Sequence, residues 1–537
     1  PVVDAPPTPP PPAPEEPPDP RVGLEPGWRD AGQAAWNLEP IAHVDRPEGF
    51  YDPNALGNIL LANSDMAFRD ELLFMGSFHG FNIYDISNPR MPRLRTSFVC
   101  PGGQGDLSVY GDLLFMSVEM PNGRVDCGTT PPSEPVSPER FRGVRVFDIS
   151  DLDEPVQVAT VQTCRGSHTH TLVTDPDDDE NVYIYVQGTS SVRPAAELAG
   201  CSGLSPEEDP STALFRIEII RVPLDSPEDA RVINTPRIFA DVATGEIAGL
   251  WPGGTHGLGS QSTATTDQCH DITAYPAMEL AAGACSGNGI LLDISEPDEP
   301  VRLDEVVDPN FAYWHSATFN NAATTVLFTD EWGGGVAPRC LASDDPRWGA
   351  DAIFRLDDGE LSLAGYYKLP AAQTELENCV AHNGSLVPVP GRDIMVQAWY
   401  QGGVSVFDFT DPEKPYEIAF FDRGPMSADE LLLSGFWSTY WYNGHIYGSE
   451  IGRGLDVFTL EPSEHLTRNE LEAARLIELD RFNAQTQPHI EWPPSFVVAR
   501  ALLDQLARGS DVVPPGDVAE LATRLDRVEA QAGAEQR

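Results

Sequence analysis

Positive charge is scarce in this chain. Its 34 basic residues face 83 acidic ones, for a formal charge of −49, and only Lys368 and Lys414 are lysines. So acidic a surface repels phosphate backbones, which excludes nucleic acid as a partner. It also disfavours an anionic membrane face. No apolar run approaches the ~18 residues of a membrane-spanning helix. No CxxC pair occurs, so zinc-ribbon and thioredoxin chemistry have no ligands. No GxSxG elbow occurs, so a hydrolase nucleophile of that type is unsupported. The glycine-rich pieces EWGGG (331–335) and PGGT (252–255) lack phosphate-loop spacing and read as loops.

What is present points outward from the cell. The cysteines are eight, an even number: Cys100, Cys127, Cys164, Cys201, Cys269, Cys285, Cys340 and Cys379. They predict four disulfides in an exported protein, with Cys269–Cys285 and Cys340–Cys379 favoured as near neighbours. Eleven of the first twenty residues are proline, which gives an extended spacer over 1–27. The expectation is a secreted or cell-surface protein anchored through that spacer.

A repeat organises the middle of the chain. Its clearest copies are GFNIYDISNPRMP (80–92), GVRVFDISDLDEP (143–155), GILLDISEPDEP (289–300) and GVSVFDFTDPEKP (403–415). Each reads as a half-buried strand, and the Asp-x-Ser/Thr run after it closes a turn on its own backbone. Weaker copies lie at 217–229, 352–361 and 454–464. Two further strands precede each copy. Seven units of this kind predict an all-β fold: a seven-bladed β-propeller of four-stranded antiparallel blades over 28–462. After 462 the period changes. Thr467 and Glu470 form a capping box, and helices are expected at 495–508 and 516–534, making 463–537 a helical tail. The last helix is too short to stand alone; it docks on the rest of the chain or pairs with a second copy.

The repeat resembles the LVIVD repeat of bacterial and archaeal surface or exported proteins. More distantly, it is similar to the selenium-binding-protein/methanethiol-oxidase propellers. The first resemblance implies a propeller. The second implies a metal, copper favoured, held by histidines around the axis, and a metal-dependent oxidase acting on a small molecule in the channel.

The residues carry their own version of this reading. Aligning the first strand of each blade places Ser64, Asp106, His170, His270, His315, His382 and Ser438 at one channel-lining position. The chain has only 11 histidines, and four share this register. His168 lies two residues before His170, on the same strand face. Converging neutral imidazoles suit copper, iron, zinc or manganese, with Asp106 as an additional ligand. Glu119 and Glu331 fall at equivalent exits of second strands, where they serve as proton acceptors or as partners of the histidines. Asp106 with Glu119 is an alternative acid/base pair. The acidic turn DPDDDEN (175–181) offers oxygen ligands for calcium. The rival to an enzyme is a non-catalytic platform for an extracellular protein, with channel histidines bonded only to water.

Overall fold

The computed structural model describes residues 18–509 and 513–535. Most of the proline-rich spacer lies outside them. Seven antiparallel sheets surround a central axis. Their inner strands are Asn63–Arg69, Leu107–Tyr110, His170–Asp175, Asp271–Tyr275, Trp314–Phe319, Gly384–Leu386 and Phe436–Tyr442, here blades 1 to 7. The predicted seven-bladed propeller is therefore the fold. Blade 7 is closed from the other end of the chain: its outer strand is Leu38–Asp45, paired with Gly454–Leu460. Gln33–Trp36 adds a fifth strand to blade 6.

The repeat residues do the work expected of them. Asp85, Asp148, Asp293 and Asp408 accept from the backbone N–H of Ser87, Ser150, Ser295 and Thr410 at 2.8–2.9 Å. Gly80 and Gly143 begin third strands at φ +147° and +148°. A Cβ there would sit 1.9 and 2.0 Å from a neighbouring carbonyl oxygen, so no other residue fits. The apolar faces of adjacent blades meet in the core, as where Phe81, Phe98 and Phe147 pack between blades 1 and 2.

The inner strands all begin on one side of the disc, the histidine face. The long connections lie there and carry seven of the eight cysteines; Cys285 is the last residue of the strand Leu280–Cys285. The cysteines pair as Cys100–Cys127, Cys164–Cys201, Cys269–Cys285 and Cys340–Cys379. Four disulfides suit an oxidising compartment. They close loops of 16 to 39 residues, each contributing about 3–4 kcal/mol in a chain-entropy model. Reduction is expected to lower the thermal midpoint steeply, with protease cleavage appearing first in these loops. Cleavage starting between strands on the opposite face would contradict that placement.

On the far face the chain seals itself. Helix α1 (Arg468–Ala474) starts from the expected capping box of Thr467 and Glu470. The tail is not wholly helical, however. Arg481–Asn483 is a strand that pairs with Ala67–Arg69 of blade 1. From there residues 483–492 cross the channel. Asn483 brackets the N–H and C=O of Val109 at 2.8 and 3.0 Å. Thr486 donates to Leu172 O at 2.6 Å. The backbone of Gln485 and Gln487 pairs with Ala274. Gln487 brackets Phe319, both bonds 2.9 Å. Trp492 Nε1 donates to Pro388 O. Phe482 packs at a tilt against Tyr440 of blade 7, ring centroids 5.0 Å apart. One segment thus touches all seven blades. Helices α2 (Phe496–Gly509) and α3 (Pro515–Glu535) follow. The last helix docks on α2, with Arg500 reaching Asp526 and Glu529, while Leu521 and Val528 remain exposed. No described helix is long and apolar enough to cross a membrane.

Candidate functional site

Four imidazoles form an arc at the histidine face. Ring centroids are 4.5 Å apart for His168–His270, 3.8 Å for His270–His315 and 4.2 Å for His315–His382. The arc spans blades 3 to 6. Every Nδ1 along it faces an acceptor or hydroxyl. For His168 it is Glu119 Oε1 at 2.7 Å; for His270, Asp271 Oδ1 at 3.0 Å. His382 uses the carbonyl oxygen of Trp437, and His315 faces Thr329 Oγ1 at 3.5 Å. Nε2 is left as the free nitrogen. Those of His315 and His382 are buried without a hydrogen-bond partner. Glu331 points between them, 3.8 Å from His315 Nε2 and 3.6 Å from His382 Nε2. The Tyr400 hydroxyl donates to the same carboxylate.

Ligand atoms of His315, Glu331 and His382 lie within 4.8 Å of one another, and so do those of His270, Asp271 and His315. Burial drives His382 down to about 3 and His315 well below its ordinary value, where the other imidazoles push the same way. Both rings are therefore neutral, the form that binds a metal. Burial raises Glu331. Burial also opposes a charge on His168, but the adjacent Glu119 carboxylate outweighs it and raises the imidazole. Glu119 in turn is lowered despite its burial, chiefly by His168. This pair is the accessible edge of the arc: its side chains are 19% and 16% exposed, against 0% and 1% for His315 and His382.

Two sequence-derived placements need correction. His170 does not join the arc. Its Nε2 lies 2.6 Å from Ser108 Oγ and its Nδ1 2.8 Å from Ser117 Oγ, so both nitrogens are used within the wall. Asp106 accepts from the His170 backbone N–H at 3.1 Å; it sits with His170 and not with Glu119. The register of blade 4 also differs from the one expected. Thr171 Oγ1 donates to Ile272 O, and Thr273 Oγ1 donates to Ala317 O at 2.8 Å. Asp271, not His270, is therefore the blade-4 residue in register with His170 and His315. The segment HDITAY is one residue longer than its equivalents, and that extra residue falls at its start. The same shift hid Asp271 as a partner of His270. Tyr400 was hidden likewise: blade 6 matches Glu331 with Trp399 in sequence, while Tyr400, at φ +50°, delivers the hydroxyl. The acidic turn at 175–181 spends Asp175 and Asp178 on its own N–H groups and on Asn181.

No family model matches the chain. No curated protein matches it either. Solved propellers do. The periplasmic gluconolactonase PpgL of Pseudomonas aeruginosa is 11% identical over 74% of this chain and 96% of its own, with a TM-score of 0.43. The Cps50 (Swd1) β-propeller domain of Myceliophteria thermophila is 9% identical over 74% and 97%, with a TM-score of 0.42. Likeness at this level carries no argument about activity. The LVIVD resemblance rests on the repeat alone, and function must come from the site.

Proposed function

We propose that this chain is an exported metal-binding propeller. One first-row transition metal is held at the channel mouth by His270, His315, His382 and Glu331, and serves oxidation of a small molecule. The observation that carries the metal is the pair of buried, unpartnered Nε2 atoms aimed at one carboxylate, with each imidazole oriented through its Nδ1 side. Three imidazoles and a carboxylate suit copper, iron, zinc or manganese; the affinity order of divalent ions favours copper. The oxidase part rests on the distant repeat resemblance.

A copper, iron or manganese ion bound there would supply Lewis acidity and one-electron redox chemistry, and a zinc ion Lewis acidity alone. The chain's own residues do the rest. Asp271, Trp437 O and Thr329 hold the rings in place. Tyr400 holds Glu331. His168, oriented by Glu119 at the open edge, is placed to take up or return a substrate proton at Nε2. Because the remaining histidines are buried, only a small substrate reaches them.

Elemental analysis of natively purified protein tests this directly. About one transition metal per chain is expected, with a Cu(II) EPR signal if the metal is copper. Protein isolated metal-free that also takes up no added Cu²⁺, Zn²⁺, Fe²⁺ or Mn²⁺ would leave the non-catalytic platform as the reading.

A further inference from the structure

At the far end of the channel the crossing segment does not fill the space it covers. Between the tail and the inner strands of blades 4 to 7 lies a cavity of about 450 Å³, counted to its opening. Its wall is largely apolar: Leu386 of blade 6, Trp441 of blade 7, and Leu479, Phe482 and Ile490 of the tail. Among the described residues no charged side chain lines it, in a chain that carries 83 acidic residues.

Part of this wall is formed where a bonding pattern between blades stops. Thr171 Oγ1 of blade 3 donates to Ile272 O of blade 4, and Thr273 Oγ1 of blade 4 donates to Ala317 O of blade 5 at 2.8 Å. Thr273 follows the acceptor Ile272 in sequence, and Thr318 likewise follows the acceptor Ala317. Thr318 is thus the next hydroxyl of the series, yet it makes no hydrogen bond, and among the described residues none joins the inner strands of blades 5 and 6. Ser385 of blade 6 accepts from the Trp441 N–H at 2.9 Å, but its own hydrogen is unspent. Both hydroxyls line the cavity.

An apolar enclosure with a few placed polar groups is the form that small-molecule sites take. So apolar a wall gives water few partners and favours an apolar guest. The unspent hydroxyls favour a guest that carries an oxygen acceptor over a bare hydrocarbon. A carboxylate or an ammonium group would lose its hydration there and gain no counter-charge.

We infer that this cavity is a binding site for a small, uncharged apolar molecule with one oxygen acceptor, an alcohol or a ketone. Its oxygen accepts from Thr318 Oγ1, and its body lies against Trp441, Phe482 and Ile490. Such a molecule touches blades and tail at once, so its binding holds the seal closed. The site lies on the face opposite the histidine arc and does not depend on the metal-binding reading.

Cyclohexanol is the probe, titrated into the full chain and read by calorimetry and thermal midpoint. One molecule per chain and a midpoint that rises with probe concentration are expected. Thr318→Val keeps the shape and removes the donor. It gives up no bond within the fold, so it should fold normally and bind about threefold to tenfold more weakly. Ala484→Leu fills the cavity and should weaken binding at least about tenfold. Leu386→Phe fills it from the blade side, with the same expected loss, and replaces the first variant if that one does not fold. Cyclohexanecarboxylate and cyclohexylammonium should not bind. The chain with His315→Ala and His382→Ala should bind cyclohexanol as the wild type does. Absence of a wild-type response overturns the proposal and leaves a packing gap only. Binding unchanged by the filling variants overturns it too, since the probe then sits elsewhere. So does binding unchanged by Thr318→Val, lost in the histidine variant, or matched by either charged analogue.

Discussion

Replacing His315 and His382 together with alanine is expected to empty the transition-metal site while leaving the propeller folded. Even loss of an outer partner of a metal-bound histidine costs about 10–100-fold in affinity, so loss of two direct ligands should cost at least that. Metal content of natively purified protein should fall from about one per chain to a few per cent. Folding should survive with some loss of stability: neither Nε2 makes a hydrogen bond, and the fold gives up only the Nδ1 contacts with Trp437 O and Thr329 Oγ1. Glu331 would keep its Tyr400 donor. Full occupancy in the double variant would show that the metal is held elsewhere and defeat the assignment. Changing His170 to glutamine is the contrasting case. It should disturb the Ser108 and Ser117 contacts and lower stability, with little effect on metal content.

The second large effect is on stability. Asn483→Ala with Gln487→Ala leaves four buried backbone groups, two on Val109 and two on Phe319, without their partners. An abandoned buried donor or acceptor costs about 1–3 kcal/mol. Allowing for relaxation and entering water, the pair should lose about 3–6 kcal/mol, read by denaturant midpoint. The loss should be cooperative, since the same segment pairs with blade 1 and with Ala274. A loss under about 1 kcal/mol would mean that water replaces these amides freely and that the seal is not structural.

The propeller was legible because its determinants are local and repeated. Strand alternation, the Asp-x-Ser/Thr turn and the glycine at the start of the third strand each recur where backbone geometry demands them. Closure was not legible. Among the described residues, the strand that Leu38–Asp45 pairs with is Gly454–Leu460, at the other end of the propeller, and no local pattern announces so distant a pairing. The same holds for the crossing segment, whose polar Asn483, Gln485 and Gln487 read as loop. At the site, histidine spacing found the arc but not its membership. A one-residue extension in blade 4 moved Asp271 into the register assigned to His270. His168 and His170 share a strand face in sequence, yet only His168, ahead of the first paired residue of blade 3, reaches the arc. Side-chain direction at a strand's frayed start is set by cross-blade packing, which alternation does not encode.

Closure of the ring also orders events in time. Blade 7 needs residues 38–45, and the seal needs residues up to 492, so a nascent chain cannot complete the disc until nearly all of it is available. The disulfides impose no such wait. Each joins one cysteine to the next along the chain, so oxidation can proceed in order of emergence with no bond that must later be broken. Individual blades can be stapled early, and the final step is a docking of the two chain ends on a preassembled arc of blades. Truncation at either end should therefore produce an oxidised, open ring that aggregates through its unpaired edges, not a smaller stable propeller.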